Sequence, residues 1–169
     1  MAILDIVIFP EPTLRLKAKQ VTKFDTELQT LVDDMFDTMR AAPGVGLAAP
    51  QIGESLRLVV VEYTEDEDEN ATPKKYVLVN PEIIKRSEEM VADVEGCLSL
   101  PGLAGKVERH QAVTVKAKNR FGKPLKIEAE GWLARIFQHE IDHLDGVLYI
   151  DRAEEVFELT PEVAEQIKD

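Results

Sequence analysis

The sequence predicts a single α+β domain in which antiparallel or mixed sheets surround a helix placed late in the chain. Three observations predict it. An amphipathic helix comes first, several strand-like segments follow, and a second helix comes after them, without the strand–helix alternation that builds a parallel sheet. Two strand segments are joined by Arg120-Phe121-Gly122-Lys123-Pro124, a turn that implies a hairpin. No repeat or linker divides the 169 residues, a length that suits one domain burying about 70% of the surface its unfolded chain exposes.

Met1 to Pro10 is apolar, carries Asp5 and lacks a basic leader, so it reads as a short first strand and not as a targeting or membrane segment. The cytoplasm is the compartment this implies. Asp25-Thr26-Glu27-Leu28-Gln29 reads as a helix start, with Thr26 and Gln29 at capping-box spacing. Leu28, Leu31, Val32, Met35, Phe36 and Met39 then mark one apolar face, and the helix stops near Ala42-Pro43-Gly44. Gly44 to Gln51 follows as a loop of small residues. Leu56 to Tyr63, Tyr76 to Asn80, Val113 to Lys118 and Leu125 to Glu130 carry strand patterns. Gly131 to Leu144 contains no proline and places Leu133, Phe137, Ile141 and Leu144 at helical spacing, with Gly146 as the stop. Residues 152–169 form an acidic tail beyond a core of about 1–151, with one short helical piece after Pro161.

Formal charge is −12, from 20 basic and 32 acidic residues. That balance opposes broad attraction to nucleic acid or to anionic membranes. Part of the excess is local, in Glu62, Glu65, Asp66, Glu67, Asp68 and Glu69, which read as a solvated loop. The single cysteine, Cys97, excludes an intrachain disulfide.

The chemistry-bearing stretch is Gln138-His139-Glu140-Ile141-Asp142-His143-Leu144. Histidines four apart on a helix lie one turn above each other, so both imidazoles can reach one divalent ion while Glu140 stands beside it. Two of the three histidines in the chain sit here, behind the apolar stripe. His110, the third, has polar neighbours and reads as a surface residue. Cys97 follows Gly96 and precedes Pro101 in Val94-Glu95-Gly96-Cys97-Leu98-Ser99-Leu100-Pro101, a place suited to an exposed ligand. With His139 and His143 it would supply three ligands and leave a fourth position open, the arrangement of a catalytic and not a structural site. Glu95, Gln138 and Asp142 are candidates to take the second nitrogen of a ligand imidazole.

Three motifs in this order, Gly44-Val45-Gly46-Leu47-Ala48-Ala49-Pro50-Gln51, Glu95-Gly96-Cys97-Leu98-Ser99 and Gln138-His139-Glu140-Ile141-Asp142-His143-Leu144, give a chain that resembles the bacterial peptide deformylases. The similarity extends from Pro12-Thr13-Leu14-Arg15 to about Asp151. It implies removal of the N-formyl group from the initiator methionine of nascent polypeptides, with release of formate. It also implies Cys97, His139 and His143 as ligands of one divalent metal, commonly iron(II), with zinc, nickel or cobalt as substitutes. Glu140 would be the general base and acid, and Gln51 and the Leu98 backbone N–H the oxyanion donors. Val45, Gly46 and Gly96 would pair with an extended substrate, while Val45, Arg135 and Ile136 would line the methionine pocket. The partners implied are N-formylmethionyl peptides and a transient ribosome contact, with no direct nucleic-acid reading and no membrane. The chain departs from many relatives at Gly102-Leu103-Ala104-Gly105, where they carry a substrate-contacting arginine, and in its acidic tail. Two other readings use some of the same residues: a zinc endopeptidase taking a ligand from Glu154, Glu155, Glu158, Glu162 or Glu165, and a non-catalytic metal-binding protein of the same fold.

Overall fold

The apolar run Leu58-Val59-Val60-Val61 organises the domain, because all four residues are fully buried although successive strand side chains point to opposite faces. Its strand must therefore be covered on both sides. In the computed structural model, which describes residues 2–64 and 71–167, it belongs to a five-stranded antiparallel sheet. The order is β1 (Gly46–Ala48), β2 (Leu58–Tyr63), β3 (Lys74–Arg86), β6 (Ala112–Lys118) and β7 (Pro124–Glu130). Helix α1 (Thr26–Ala41) covers one face through Val32, Met35, Phe36 and Met39, which pack with Leu58, Val60 and Val79. Helix α2 (Gly131–Leu144) covers the other through Leu133, Phe137, Ile141 and Leu144, which pack with Val59, Val61, Leu78 and Val115.

A second, three-stranded antiparallel sheet has the order β4 (Met90–Glu95), β5 (Leu103–His110) and β8 (Ala153–Glu158). Beside it the short helix α3 (Tyr149–Arg152) contributes Tyr149 to a small core with Leu14, Leu100, Val107 and Leu148. Since α2 also packs on β5, it runs between the two sheets, and it is buried almost all round.

Both long helices and the hairpin lie where the pattern placed them, with Lys118 paired to Pro124 across the turn. Other expectations are corrected. Asp25, and not Thr26, caps α1, its carboxylate accepting from Leu28 N–H at 3.0 Å. Residues 2–8 form no strand, because their N–H groups bond to separate elements: Leu4 to Thr38 Oγ1 and Val7 to the Gln51 carbonyl. The expected loop Gly44–Gln51 contains β1 and a tight turn, Ala49–Ile52. The strand expected to stop at Asn80 runs on to Arg86 through a bulge. There Asn80 adopts φ 52°, and its amide accepts from Val21 N–H and donates to the Val21 carbonyl. The whole three-stranded sheet went unread, and its strand β8 takes the chain past the expected core boundary at 151; only α4 (Pro161–Ala164) corresponds to the expected tail helix. Glu62 is strand and not loop, ion-paired to Arg40 at 2.6 Å, while Glu65 to Glu69 lie outside the described residues. His110 is half-buried at the end of β5, its Nδ1 2.8 Å from the Ser87 carbonyl.

Candidate active site

The polar side of α2 faces inward. Its spacing brings His139 and His143 together with ring centroids 5.1 Å apart, both nearly inaccessible. Cys97, just beyond the end of β4, meets them: its Sγ is 3.4 Å from His143 Nε2, and one ligand atom from each of the three residues lies within 4.8 Å of the others. Donors held by a tetrahedral ion with bonds of about 2.0–2.3 Å stand roughly 3.3–3.8 Å apart, so the cluster needs little movement to close on one ion. His143 Nδ1 is buried with no hydrogen-bond partner among the described residues. A soft thiolate and two imidazoles therefore fit a divalent metal of the iron or zinc kind.

Of the three candidates to orient a ligand imidazole, Glu95 takes the role: its Oε1 lies 2.9 Å from His139 Nδ1. Gln138 instead bonds to the His110 and Ala134 carbonyls, and Asp142 to Arg109 and Arg152. Glu95 is 1% exposed and is gripped by Arg109 through two 2.9 Å bonds and by Arg135 at 2.5 Å. Burial pushes its carboxyl pKa up, but the bonds from Arg109 and His139 outweigh that and hold it well below the usual carboxylate range. Burial, His139 and Arg109 hold His143 well below its ordinary value, in the neutral form that ligates. Tyr149 stacks on His139 at 6.0 Å and 19°, fixing the other side of the ring.

Glu140 is 3% exposed and lines, with Cys97 and His139, a cavity of about 190 Å³. Gly46 makes room for it. A Cβ there would sit 2.7 Å from Glu140 Oε2, so any larger residue would displace the carboxylate. Gln51, 1% exposed, accepts from Ala48 N–H through Oε1 at 2.9 Å. That bond orients the amide, leaving Nε2 directed at Cys97 Sγ (3.5 Å) and Ser99 Oγ (3.3 Å).

Val45, Gly46, Gly96 and Leu98 line the same cavity. Arg135 and Ile136 are not among the residues lining this cavity; Arg135 lines a separate one with Val91, Asp93 and Trp132. Arg135 turns the other way, onto Glu95 and the Val107 and Val91 carbonyls, because a buried guanidinium needs several acceptors, and Ile136 is packed in the α2 core. Sequence reasoning missed Arg109, Ser99 and Tyr149, and it missed Leu159, Ala164 and Ile167, which form part of the cavity wall. The alternation Val107-Glu108-Arg109 is a signal for the inward-facing Arg109; for the others no sequence signal stands out.

A Cys-His-His cluster, a carboxylate one residue along the helix and an oriented amide across one cavity define a metal-dependent hydrolase. The comparisons narrow that class. The sequence profile of the polypeptide deformylases matches residues 3–157, and the chain belongs to that family. It is 55% identical to the peptide deformylase of Symbiobacterium thermophilum over 152 residues, covering 90% of this chain and 67% of that protein. It is 54% identical to that of Natranaerobius thermophilus, covering 93% and 96%. Among solved structures, the Thermotoga maritima peptide deformylase superposes with TM-score 0.83 at 41% identity, covering 92% of this chain and 100% of that one. The Ehrlichia chaffeensis enzyme in complex with actinonin gives 0.85 at 40% identity, covering 92% and 91%.

Proposed function

We propose that this chain is a peptide deformylase that hydrolyses the N-formyl group of formylmethionine at the start of nascent polypeptides, yielding formate and a free amine. The observation that carries the reading is the cluster of three ligand atoms within 4.8 Å, with Glu140 and Gln51 on the same cavity. Cys97, His139 and His143 would hold one divalent ion, iron(II) in our reading with zinc, nickel or cobalt as substitutes, which when bound supplies Lewis acidity toward a carbonyl and toward water.

The chain's own residues do the rest. Among the described residues β1 is an edge strand paired only with β2, so an extended peptide can add along Val45 and Gly46 and meet Gly96 across the cleft. Glu140 accepts a proton from water as the water oxygen bonds to the formyl carbon. Gln51 Nε2 and the Leu98 N–H donate to the oxyanion that develops on the formyl oxygen, contacts whose loss typically raises a barrier by about 3–4 kcal/mol. Glu140 then returns the proton to the amine as the C–N bond breaks. We place the enzyme in the cytoplasm, as one catalytic domain spanning residues 1–169, meeting nascent chains through a transient ribosome contact and without reading nucleic acid. Among the described residues no helix is long and apolar enough to cross a membrane.

The endopeptidase reading needs a ligand from a downstream glutamate, and none of the described acidic residues joins the cluster. An anaerobic preparation assayed with formyl-Met-Ala-Ser beside an unblocked peptide is expected to release formate and leave the second peptide intact; cleavage without formate rejects the proposal. In the same assay Glu140→Ala should keep its metal and lose about 10²–10⁴-fold in turnover.

A further inference from the structure

The segment after β8 would be a dispensable tail if it left the body of the protein, but it turns back to the catalytic cavity. Leu159 N–H donates to the Gly102 carbonyl at 2.9 Å, which fixes its start beside the turn before β5. Thr160 caps α4, its hydroxyl accepting from Val163 N–H, and the chain then returns so that Ile167 reaches Gly96. Contact is close. A Cβ on Gly96 would meet Ile167 Cδ1 at 3.3 Å. Leu159, Ala164 and Ile167 line the same cavity as His139 and Glu140. Val163 and Ile167 are half-buried, while Leu159 and Ala164, which border the cavity, are exposed along with Glu158, Glu162 and Glu165.

We infer that residues 159–167 form a wall of the substrate cleft and that Leu159, Ala164 and Ile167 select for the residues that follow the methionine. The inference rests on the deformylase reading and on the peptide passing Gly96. A chain entering along β1 with its formyl end at Glu140 and Cys97 extends away from them, and the side of the cleft that the segment closes is the Gly96 side. An apolar residue one or two places after methionine gains contact there, and an acidic one meets an apolar wall whose outer side carries three carboxylates.

The test uses the full-length, metal-loaded enzyme with two substrates, formyl-methionine amide, which ends before the wall, and formyl-Met-Leu-Phe, which reaches it. Ile167→Asp should raise KM for the longer peptide about tenfold and change the constants for the amide by a much smaller factor. Ala164→Arg, which fills the cleft from an exposed position, should act in the same direction. Thermal unfolding of each variant checks that the body of the protein is intact. Equal losses on both substrates, no change on either, or a gain in kcat/KM on the longer peptide would each overturn the inference. A parent enzyme that releases formate from neither substrate would overturn the deformylase reading itself, so the two failures are separable.

Discussion

The two sheets hold the same helix by different physics. The five-stranded sheet meets α2 through Leu133, Phe137, Ile141 and Leu144, an apolar seam with all four residues nearly inaccessible. The three-stranded sheet meets the opposite side of α2 through charge: Glu95 from β4 and Arg109 from β5 join Arg135 and Asp142 from the helix. Apolar burial is non-directional and tolerates small shifts. Ion pairs buried this deeply are favourable only when each oxygen and N–H finds its partner, so they fix the second sheet, and Cys97 beyond β4, in one position relative to the two histidines. The apolar contact supplies stability, and the charged contact supplies the alignment of the site.

Glu95→Gln is the largest break in that comparison. Removing the charge leaves Arg109 and Arg135 buried without it, and calorimetry on the metal-free protein should read a loss of about 3–5 kcal/mol. The His139 ring loses its carboxylate partner as well, so metal affinity, titrated with a competing chelator, should fall about 10–100-fold. Phe137→Ala, on the apolar side, should cost a similar 3–5 kcal/mol yet leave metal affinity close to that of the parent. Equal loss of affinity in both variants would erase the distinction between the two contacts.

A smaller effect comes from pH. The Glu95 carboxyl is held below its ordinary value of 4.5, so the folded state binds fewer protons than the unfolded chain in that range. Its contribution is fully present above about pH 4.5 and is lost as pH falls through the lowered folded value. Urea midpoints of the metal-free protein should therefore drop on acidification below that point, and Glu95→Gln should flatten the drop; an unchanged slope would show that another carboxylate sets it.

What was legible in the sequence follows the same division. Helix α2 was bounded correctly because Leu133, Phe137, Ile141 and Leu144 repeat at its period, while β2 was found from its apolar run but begins at Leu58 and not at the expected Leu56. The strands β4, β5 and β8 were not legible. Their interior positions include Glu95 and Arg109, residue types that sequence reading assigns to surfaces, and these become interior only once Arg135 and Asp142 on α2 are brought to them.

The sequence alone determined the chemistry available: a cysteine after a glycine, two histidines one helical turn apart, a glutamate between them and a glutamine after a run of small residues. Each is a local fact of residue type and spacing. Tertiary structure decided which groups meet. Cys97 and His143 are 46 residues apart and come within 3.4 Å. Glu95, and not Gln138 or Asp142, orients His139 because β4 carries it there, and residues 159–167 border the cleft because β8 is paired to β5. Such long-range juxtapositions are set by the packing of two sheets on one helix, a property that no local window of the chain contains.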